Sequence, residues 1–146
     1  MKKNLLIILI FLTTLSSTVQ AAIDKIAIVD MQKVISKSSQ VQALKNEQDK
    51  KRKELAQFIK KAGEDIQKQT DPTKKKALAQ KYDKDLKAKQ NENAKTYKTK
   101  LEAVDKSINT IISQQAKLMG YDAVFIKGAI IYGGDDITES ILKVIK

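Results

Sequence analysis

The side chains with the most obvious potential for chemistry are two pairs of neighbouring carboxylates. Glu64 and Asp65 are adjacent in a segment of helical composition, and Asp135 and Asp136 follow two glycines. Neighbouring residues of a helix point in different directions, so Glu64 and Asp65 share no face that could hold a metal ion or a reacting group. The second pair is explained by a turn and by capping of a helix that follows it. We therefore expect neither pair to be catalytic.

The residue types that most enzymes and metal sites depend on are missing. The chain of 146 residues contains no histidine, no cysteine and no tryptophan. It therefore has no thiol nucleophile, no disulfide, no zinc-finger ligand set and no imidazole for acid–base catalysis. No phosphate-binding glycine loop is recognisable either. The sequence predicts a binding protein without a cofactor rather than an enzyme.

Basic side chains are the dominant feature, with 28 Lys and Arg against 17 Asp and Glu and a net charge of +11. Nearly all of them are lysines, which act as flexible point charges rather than as bidentate readers of one chemical group. We expect them to attract acidic chains or anionic lipid headgroups without sequence preference. The alternative is a solvated helix face with internal ion pairs such as Glu47–Lys51. The candidate binding residues are Lys50, Lys51, Arg52, Lys53, Lys60, Lys61, Lys74, Lys75, Lys76, Lys81, Lys84 and Lys87.

Residues 1–21 have the pattern of a secretory signal peptide. Lys2 and Lys3 precede an apolar run over residues 5–12, and a small residue, Ala21, ends the segment. The apolar run is far shorter than the roughly 20 residues that a membrane-spanning helix needs. We expect cleavage after Ala21, with Ala22 as the alternative. The prediction is a soluble protein of the periplasm, in a bacterium with two membranes.

Residues 41–118 predict a long helical hairpin. Pro72 suits the first position of a helix and Asp71 its N-cap, which places a turn near residues 70–73. Apolar residues recur at three-four spacing on both sides, and folding the chain at this turn sets Leu44 opposite Leu101. The pattern favours an antiparallel coiled coil. After loss of the signal peptide the net charge is +9, all of it in this region, because the two flanks cancel.

The middle of the predicted coiled coil is polar. Gln48 and Lys51 occupy seam positions of the first helix, and Lys89 and Asn93 lie opposite them. Polar seam residues weaken a coiled coil. Two interpretations remain open: an imperfect, solvated coil, or a place where the helical hairpin bends.

The flanks, residues 22–40 and 119–146, predict a small β-containing base. β-forming residues suggest a first strand over 26–30, and two further strands over 121–127 and 129–132 on either side of Gly128. We expect these strands to form a mixed sheet. About 45 residues in two pieces rarely supply a stable core alone. The base should therefore oligomerise, through Ile26, Ile28, Val124, Ile126, Ile130 and Tyr132.

Two terminal motifs resemble the Skp/OmpH family of periplasmic chaperones. The first is Lys25-Ile26-Ala27-Ile28-Val29-Asp30-Met31-Gln32-Lys33-Val34; the second comprises Tyr121-Asp122-Ala123-Val124, Ala129-Ile130-Ile131-Tyr132 and Asp136-Ile137-Thr138-Glu139-Ser140-Ile141-Leu142-Lys143. With the basic helices between them, the resemblance covers the whole mature chain. It implies a homotrimer in which three helical hairpins project from a β-structured base and surround a cavity. It implies no catalytic residue and no cofactor.

The predicted fold is mainly α with a small β base, an α+β protein in which a long antiparallel coiled-coil hairpin projects from a small mixed sheet and the base trimerises. The resemblance implies an ATP-independent holdase that binds unfolded outer-membrane β-barrel proteins and prevents their aggregation. The alternative is an exported basic coiled-coil protein that binds anionic lipid, lipopolysaccharide or nucleic acid. Nucleic acid is the partner we expect least, because the chain is exported and has little arginine.

Overall fold

The computed structural model describes residues 24–145, so the predicted signal peptide over residues 1–21 and its cleavage at Ala21 lie outside the described residues. The helices are α1 (Met31–Lys37), α2 (Ser39–Lys68), α3 (Pro72–Leu118) and α4 (Thr138–Val144). The strands are β1 (Ile26–Val29), β2 (Ala123–Ile126) and β3 (Asp135–Asp136), and a short 3-10 helix covers Lys127–Ala129. Long helices with a small sheet make this an α+β fold.

The two long helices, α2 and α3, have well-defined ends. The Ser38 hydroxyl caps α2, and the Asp71 carboxylate caps α3 by accepting a hydrogen bond of 2.8 Å from the backbone N–H of Thr73. Pro72 opens α3, where its missing N–H leaves no helical hydrogen bond unmade. The break between the helices is therefore confined to residues 69–71.

α2 and α3 pack against each other over much of their length. Near the base, both carboxylate oxygens of Glu47 in α2 accept hydrogen bonds of 2.6 Å from Lys100 Nζ in α3. Nearer the helix break, the rings of Phe58 and Tyr82 lie edge to face with their centroids 5.5 Å apart. Residue numbers rise along α2 as those of their partners fall along α3.

The sheet is entirely parallel, in the order β2-β1-β3. Ile26 of β1 pairs with Ala123 of β2, and Ala27 pairs with Asp135 of β3. The prediction of a mixed sheet is thus wrong. All three helices of the first part of the chain lie between β1 and β2, and a connection of this length lets the second strand run in the same direction as the first.

The predicted strand over residues 129–132 is also wrong. Residues 127–129 form a single 3-10 turn, and Ile130 and Tyr132 lie in no strand. The third strand is Asp135–Asp136, which the sequence predicts as a turn. β-forming side chains become a strand only where a neighbouring strand offers free backbone groups. Both edges of β1 are already occupied, by β2 and β3.

The approach to β3 depends on Gly134, which has a positive φ of 87°. A Cβ atom added there would lie 2.8 Å from Cγ1 of Ile28. The chain therefore crosses closely over the face of β1 that carries Ile28, and only glycine permits this approach.

The opposite face of β1 carries the hydrophobic core. Its side chains come from β1, α1, the end of α3 and α4, so both ends of the chain contribute. The Thr138 hydroxyl at the start of α4 accepts a hydrogen bond of 2.9 Å from the backbone N–H of Asp30 after β1. The buried apolar residues of the cluster are Ala27, Val29, Val34, Ile108, Ile112, Ala116, Ile137, Ile141 and Ile145.

The Asp136 carboxylate fixes the junction between β3 and α4. One oxygen accepts hydrogen bonds from the hydroxyl and the backbone N–H of Thr138, at 2.5 and 3.0 Å. The other lies 3.0 Å from Lys127 Nζ. These interactions, that with the Thr138 hydroxyl foremost, lower the pKa of Asp136 from 3.8 to about 2.

We predict that this carboxylate makes the stability of the base depend on pH. Because the folded pKa lies below the unfolded one, the stabilisation is complete above pH 3.8 and is lost as the pH falls towards about 2. Asp136→Asn should lower the urea midpoint at neutral pH, and its difference from the native chain should shrink across that window. Glu64→Gln, at an exposed position of α2, is the control and should follow the native chain. Parallel native and Asp136→Asn curves down to pH 2 would contradict the prediction.

Candidate functional site

The basic residues predicted to bind anionic partners lie on the surface of α2 and α3. All are exposed except Lys51, which is half-buried. Three of them form ion pairs within their own helix: Lys51 with Glu54, Arg52 with Asp49 and Lys87 with Asp83. Within residues 24–145, no ion pair involves Lys50, Lys53, Lys60, Lys61, Lys74, Lys75, Lys76, Lys81 or Lys84. Most of the predicted cations are thus available to a partner.

The lysines nearest the helix break occupy an unfavourable position for helix stability. Lys74 and Lys75 lie in the first turn of α3, which contains no acidic residue, and Lys76 follows directly. The N-terminus of a helix carries partial positive charge, so cations there weaken the helix. Only the Asp71 carboxylate at the N-cap opposes this effect. The lysines therefore occupy these positions at a cost in local helix stability.

We call the pair of helices α2 and α3 the arm. The polar middle of the arm is loosely packed. Lys51 donates a hydrogen bond of 3.0 Å to Glu54, which raises the pKa of Lys51 and lowers that of Glu54. Lys89 Nζ lies 5.3 Å from the centre of the Phe58 ring, within range of a cation–π interaction. A cavity of about 430 Å³ opens beside Phe58, Lys89 and Asn93. Charged and polar side chains therefore lie where a regular coiled coil has apolar contacts.

An apolar groove lies where the arm joins the base, and we call it the root groove. It has a volume of about 440 Å³, and Ile35, Tyr97 and Leu101 in its walls are exposed. The sequence did not predict it, because three-four spacing marks an apolar helix face without showing whether that face is covered. Its apolar lining consists of Met31, Ile35, Val41, Leu44, Tyr97, Leu101, Val104 and Ile108.

The side chains predicted to join subunits differ widely in exposure. Ile26, Ile28, Val124 and Ile130 are half-buried, whereas Ile126 and Tyr132 are exposed. Further large apolar residues of the base are exposed but were not among those predicted: Ile35, Phe125, Ile131 and Val144.

The chain thus consists of a basic pair of long helices whose two ends connect to the same small parallel sheet. Over residues 25–145 the chain matches the family of outer membrane proteins described as OmpH-like. The chain belongs to this family. The match begins at the foot of β1 and ends after α4, so it includes both parts of the base and the whole arm. No curated protein matches the chain.

Membership of the OmpH-like family confirms the resemblance of the two terminal motifs. It suggests a periplasmic chaperone for outer-membrane proteins rather than an enzyme. Among residues 24–145, no acidic side chains are grouped so that they could hold a metal ion. None of the helices in the described part of the chain combines the length and the apolar character needed to cross a membrane.

The polar middle of the arm should be its most mobile part. We predict faster amide hydrogen exchange around Lys51 and Lys89 than around Val41 and Val104, where apolar side chains pack beside the core. Replacing Lys51 and Lys89 together by Leu should slow exchange in the middle by filling the seam.

The matched control is Lys53→Leu with Lys84→Leu, since both lysines are exposed and lie away from the cavity. This pair should leave exchange in the middle unchanged. Equal protection along both helices of the native chain would show that the middle is packed as tightly as the rest.

Proposed function

We propose that this OmpH-like chain is an ATP-independent holdase chaperone of the periplasm. It binds unfolded outer-membrane β-barrel proteins and prevents their aggregation during transit to the outer membrane. The observation that carries the proposal is the set of exposed lysines without ion pairs on the same helix pair that forms the apolar root groove. Unfolded chains present both charge and apolar side chains. A protein that binds them lowers the free concentration of the species that aggregates.

We further propose that α2 and α3 act as an antiparallel coiled-coil arm and that three copies join through the base. The opposite running of residue numbers at the Glu47–Lys100 and Phe58–Tyr82 contacts supports the antiparallel arm. Exposed apolar side chains on the base support assembly, and the number three comes from the family resemblance. α2 has 30 residues and α3 has 47, lengths of about 45 and 70 Å. The family resemblance implies that three such arms surround a cavity.

The exposed lysines and the root groove make different contributions to binding. The lysines attract an anionic chain from a distance, because charges act over a Debye length of about 10 Å at 0.1 M salt. The root groove then holds apolar side chains by contacts that salt does not screen. No nucleotide motif is present in the sequence, so release follows from folding of the client elsewhere. Anionic lipid or lipopolysaccharide is a second class of partner that the same lysines could attract.

The direct test is suppression of aggregation. A urea-unfolded outer-membrane β-barrel protein is diluted into buffer with the mature chain, and light scattering is followed over time. Scattering should fall with increasing chaperone and should be unaffected by ATP. If scattering is unchanged while the chain sediments with vesicles of anionic phospholipid, the alternative function as a lipid-binding protein is correct.

Five lysines near the start of α3 should control the rate of capture of an unfolded client. Reversal of Lys74, Lys75, Lys76, Lys81 and Lys84 to Glu should slow association with an acidic unfolded barrel protein. The remaining rate should depend less on salt, because long-range attraction has been removed. Stopped-flow fluorescence at several salt concentrations measures both effects.

The matched control replaces the same five lysines by Arg, which keeps the charge and should keep the native rate. All five positions are exposed and distant in sequence from the base, so assembly through the base should be unchanged in both variants. The Arg variant should unfold at the native temperature, and the Glu variant should unfold at the same or a higher temperature, because acidic side chains near the start of α3 favour the helix. An unaltered rate and salt dependence in the Glu variant would mean that these lysines serve solubility only.

A further inference from the structure

The root groove is an apolar surface that nothing in the described chain covers. Within residues 24–145, three large side chains in its walls stay exposed: Ile35 at 44%, Tyr97 at 38% and Leu101 at 46%. Apolar side chains that are exposed together mark a surface that binds a partner. The groove volume of about 440 Å³ lies within the range of clefts that bind ligands.

The charge around the root groove differs from that of the arm as a whole. The groove is lined by two cations, Lys45 and Arg52, and by two anions, Asp49 and Asp105, so its formal charge is zero. Arg52 lies 3.7 Å from Asp49 within α2. The arm as a whole carries +9. A neutral apolar groove suits an uncharged apolar occupant, whereas the exposed lysines elsewhere on the arm suit an anionic one.

The chain itself contains a segment of that character before the described residues. No charged side chain occurs between Lys3 and Asp24. The apolar run over residues 5–12, which belongs to the predicted signal peptide, consists only of Leu, Ile and Phe. Removal of such side chains from water is favourable. The apolar run therefore matches the root groove in both charge and polarity.

The start of the described chain is fixed beside the base, which limits where the apolar run can lie. The Asp122 carboxylate accepts hydrogen bonds of 3.2 and 2.9 Å from the backbone N–H groups of Asp24 and Lys25. Leu12 and Asp24 are 12 positions apart, and an extended chain of that length spans about 40 Å. The chain from Asp24 to Ile35, extended as far as Met31 and helical beyond it, spans at most about 30 Å. The apolar run can therefore reach the root groove of its own chain.

We infer that the apolar run occupies the root groove of its own chain until the signal peptide is removed. This inference rests on the predicted signal peptide and on the proposed role of the groove in client binding. A tethered segment competes with free partners at a high effective concentration, which its linker length sets. The precursor, the chain that still carries residues 1–21, thus keeps the groove covered. Proteolytic removal of the segment exposes the groove to a client.

The absence of natural tryptophan allows the groove to be observed directly. Tyr97→Trp places a single indole in its wall, and indole emission moves to shorter wavelength when apolar side chains exclude water from the ring. The refolded precursor should therefore emit at shorter wavelength than the mature chain. Ile8→Asp in the apolar run should return the precursor to the mature value, because burial of an unpaired charge is unfavourable.

The matched control is Ser16→Asp, which adds the same charge to the signal peptide outside the apolar run and should keep the shorter wavelength. Equal emission from the precursor and the mature chain would overturn the inference. An equal response to the two Asp variants would overturn it as well, since the effect would then not depend on the apolar run.

The absence of natural cysteine permits a second measurement. A short bismaleimide should link Ile8→Cys to Leu101→Cys within one precursor chain. Thr110→Cys in place of Leu101→Cys is the control and should link much less, because Thr110 is exposed on α3 but does not line the groove. Equal linking of the two pairs would contradict docking in the groove. Linked dimers from the single variants Ile8→Cys and Leu101→Cys refolded together would place the segment in a neighbouring copy and refute docking within one chain.

Neither measurement involves a client, so the inference and the proposed function can fail separately. A covered groove in the precursor, with a mature chain that does not suppress aggregation, refutes the chaperone function alone. A mature chain that suppresses aggregation, with neither emission shift nor cross-link in its precursor, refutes the inference alone. Where both hold, the precursor should suppress aggregation less than the mature chain, and Ile8→Asp should restore suppression. Equal suppression by precursor and mature chain would contradict exposure of the groove by cleavage.

Discussion

The fold depends on the packing of one short strand, β1, whose neighbours all come from elsewhere in the chain. Ala27 and Val29 on its buried face contact the helices, while β2 and β3 from the other end of the chain pair with its two edges. The core is closed only when the chain has returned from the arm. The arm thus connects the two halves of one small core. α3 must therefore return to the base, however strongly or weakly α2 and α3 interact with each other.

The arm itself shows two opposing demands. Capping by Ser38 and Asp71 and apolar contacts near the base favour long, regular helices. Lysines in the first turn of α3 and charged side chains in the middle of the seam work against them. Both unfavourable features lie away from the core, where a loss of local helix stability does not unfold the base. The arm can therefore carry surplus charge without destabilising the base that anchors it.

The sequence was sufficient for features that depend on local chemistry. The Asp71-Pro72 pair marks where α3 begins, because capping and the proline ring act within one turn. Strand pairing was less predictable. Ile130 and Tyr132 have strand-forming side chains, yet β2 and β3 already occupy both edges of β1, and the two aspartates that do reach β1 have no strand preference. The root groove was missed for a related reason, since the exposure of Leu101 depends on where α1 packs.

The net charge of the chain is distributed unequally between the base and the arm. The net charge of the segments that build the base is close to zero, since residues 22–40 and 119–146 cancel, whereas the arm carries all +9. In the proposed assembly, copies that meet through their bases bring together surfaces that do not repel. Their arms would repel each other within the Debye length of about 10 Å. An anionic chain bound between the arms would reduce that repulsion. Under the proposed function, the same charge would thus attract a client and hold the arms apart before the client binds.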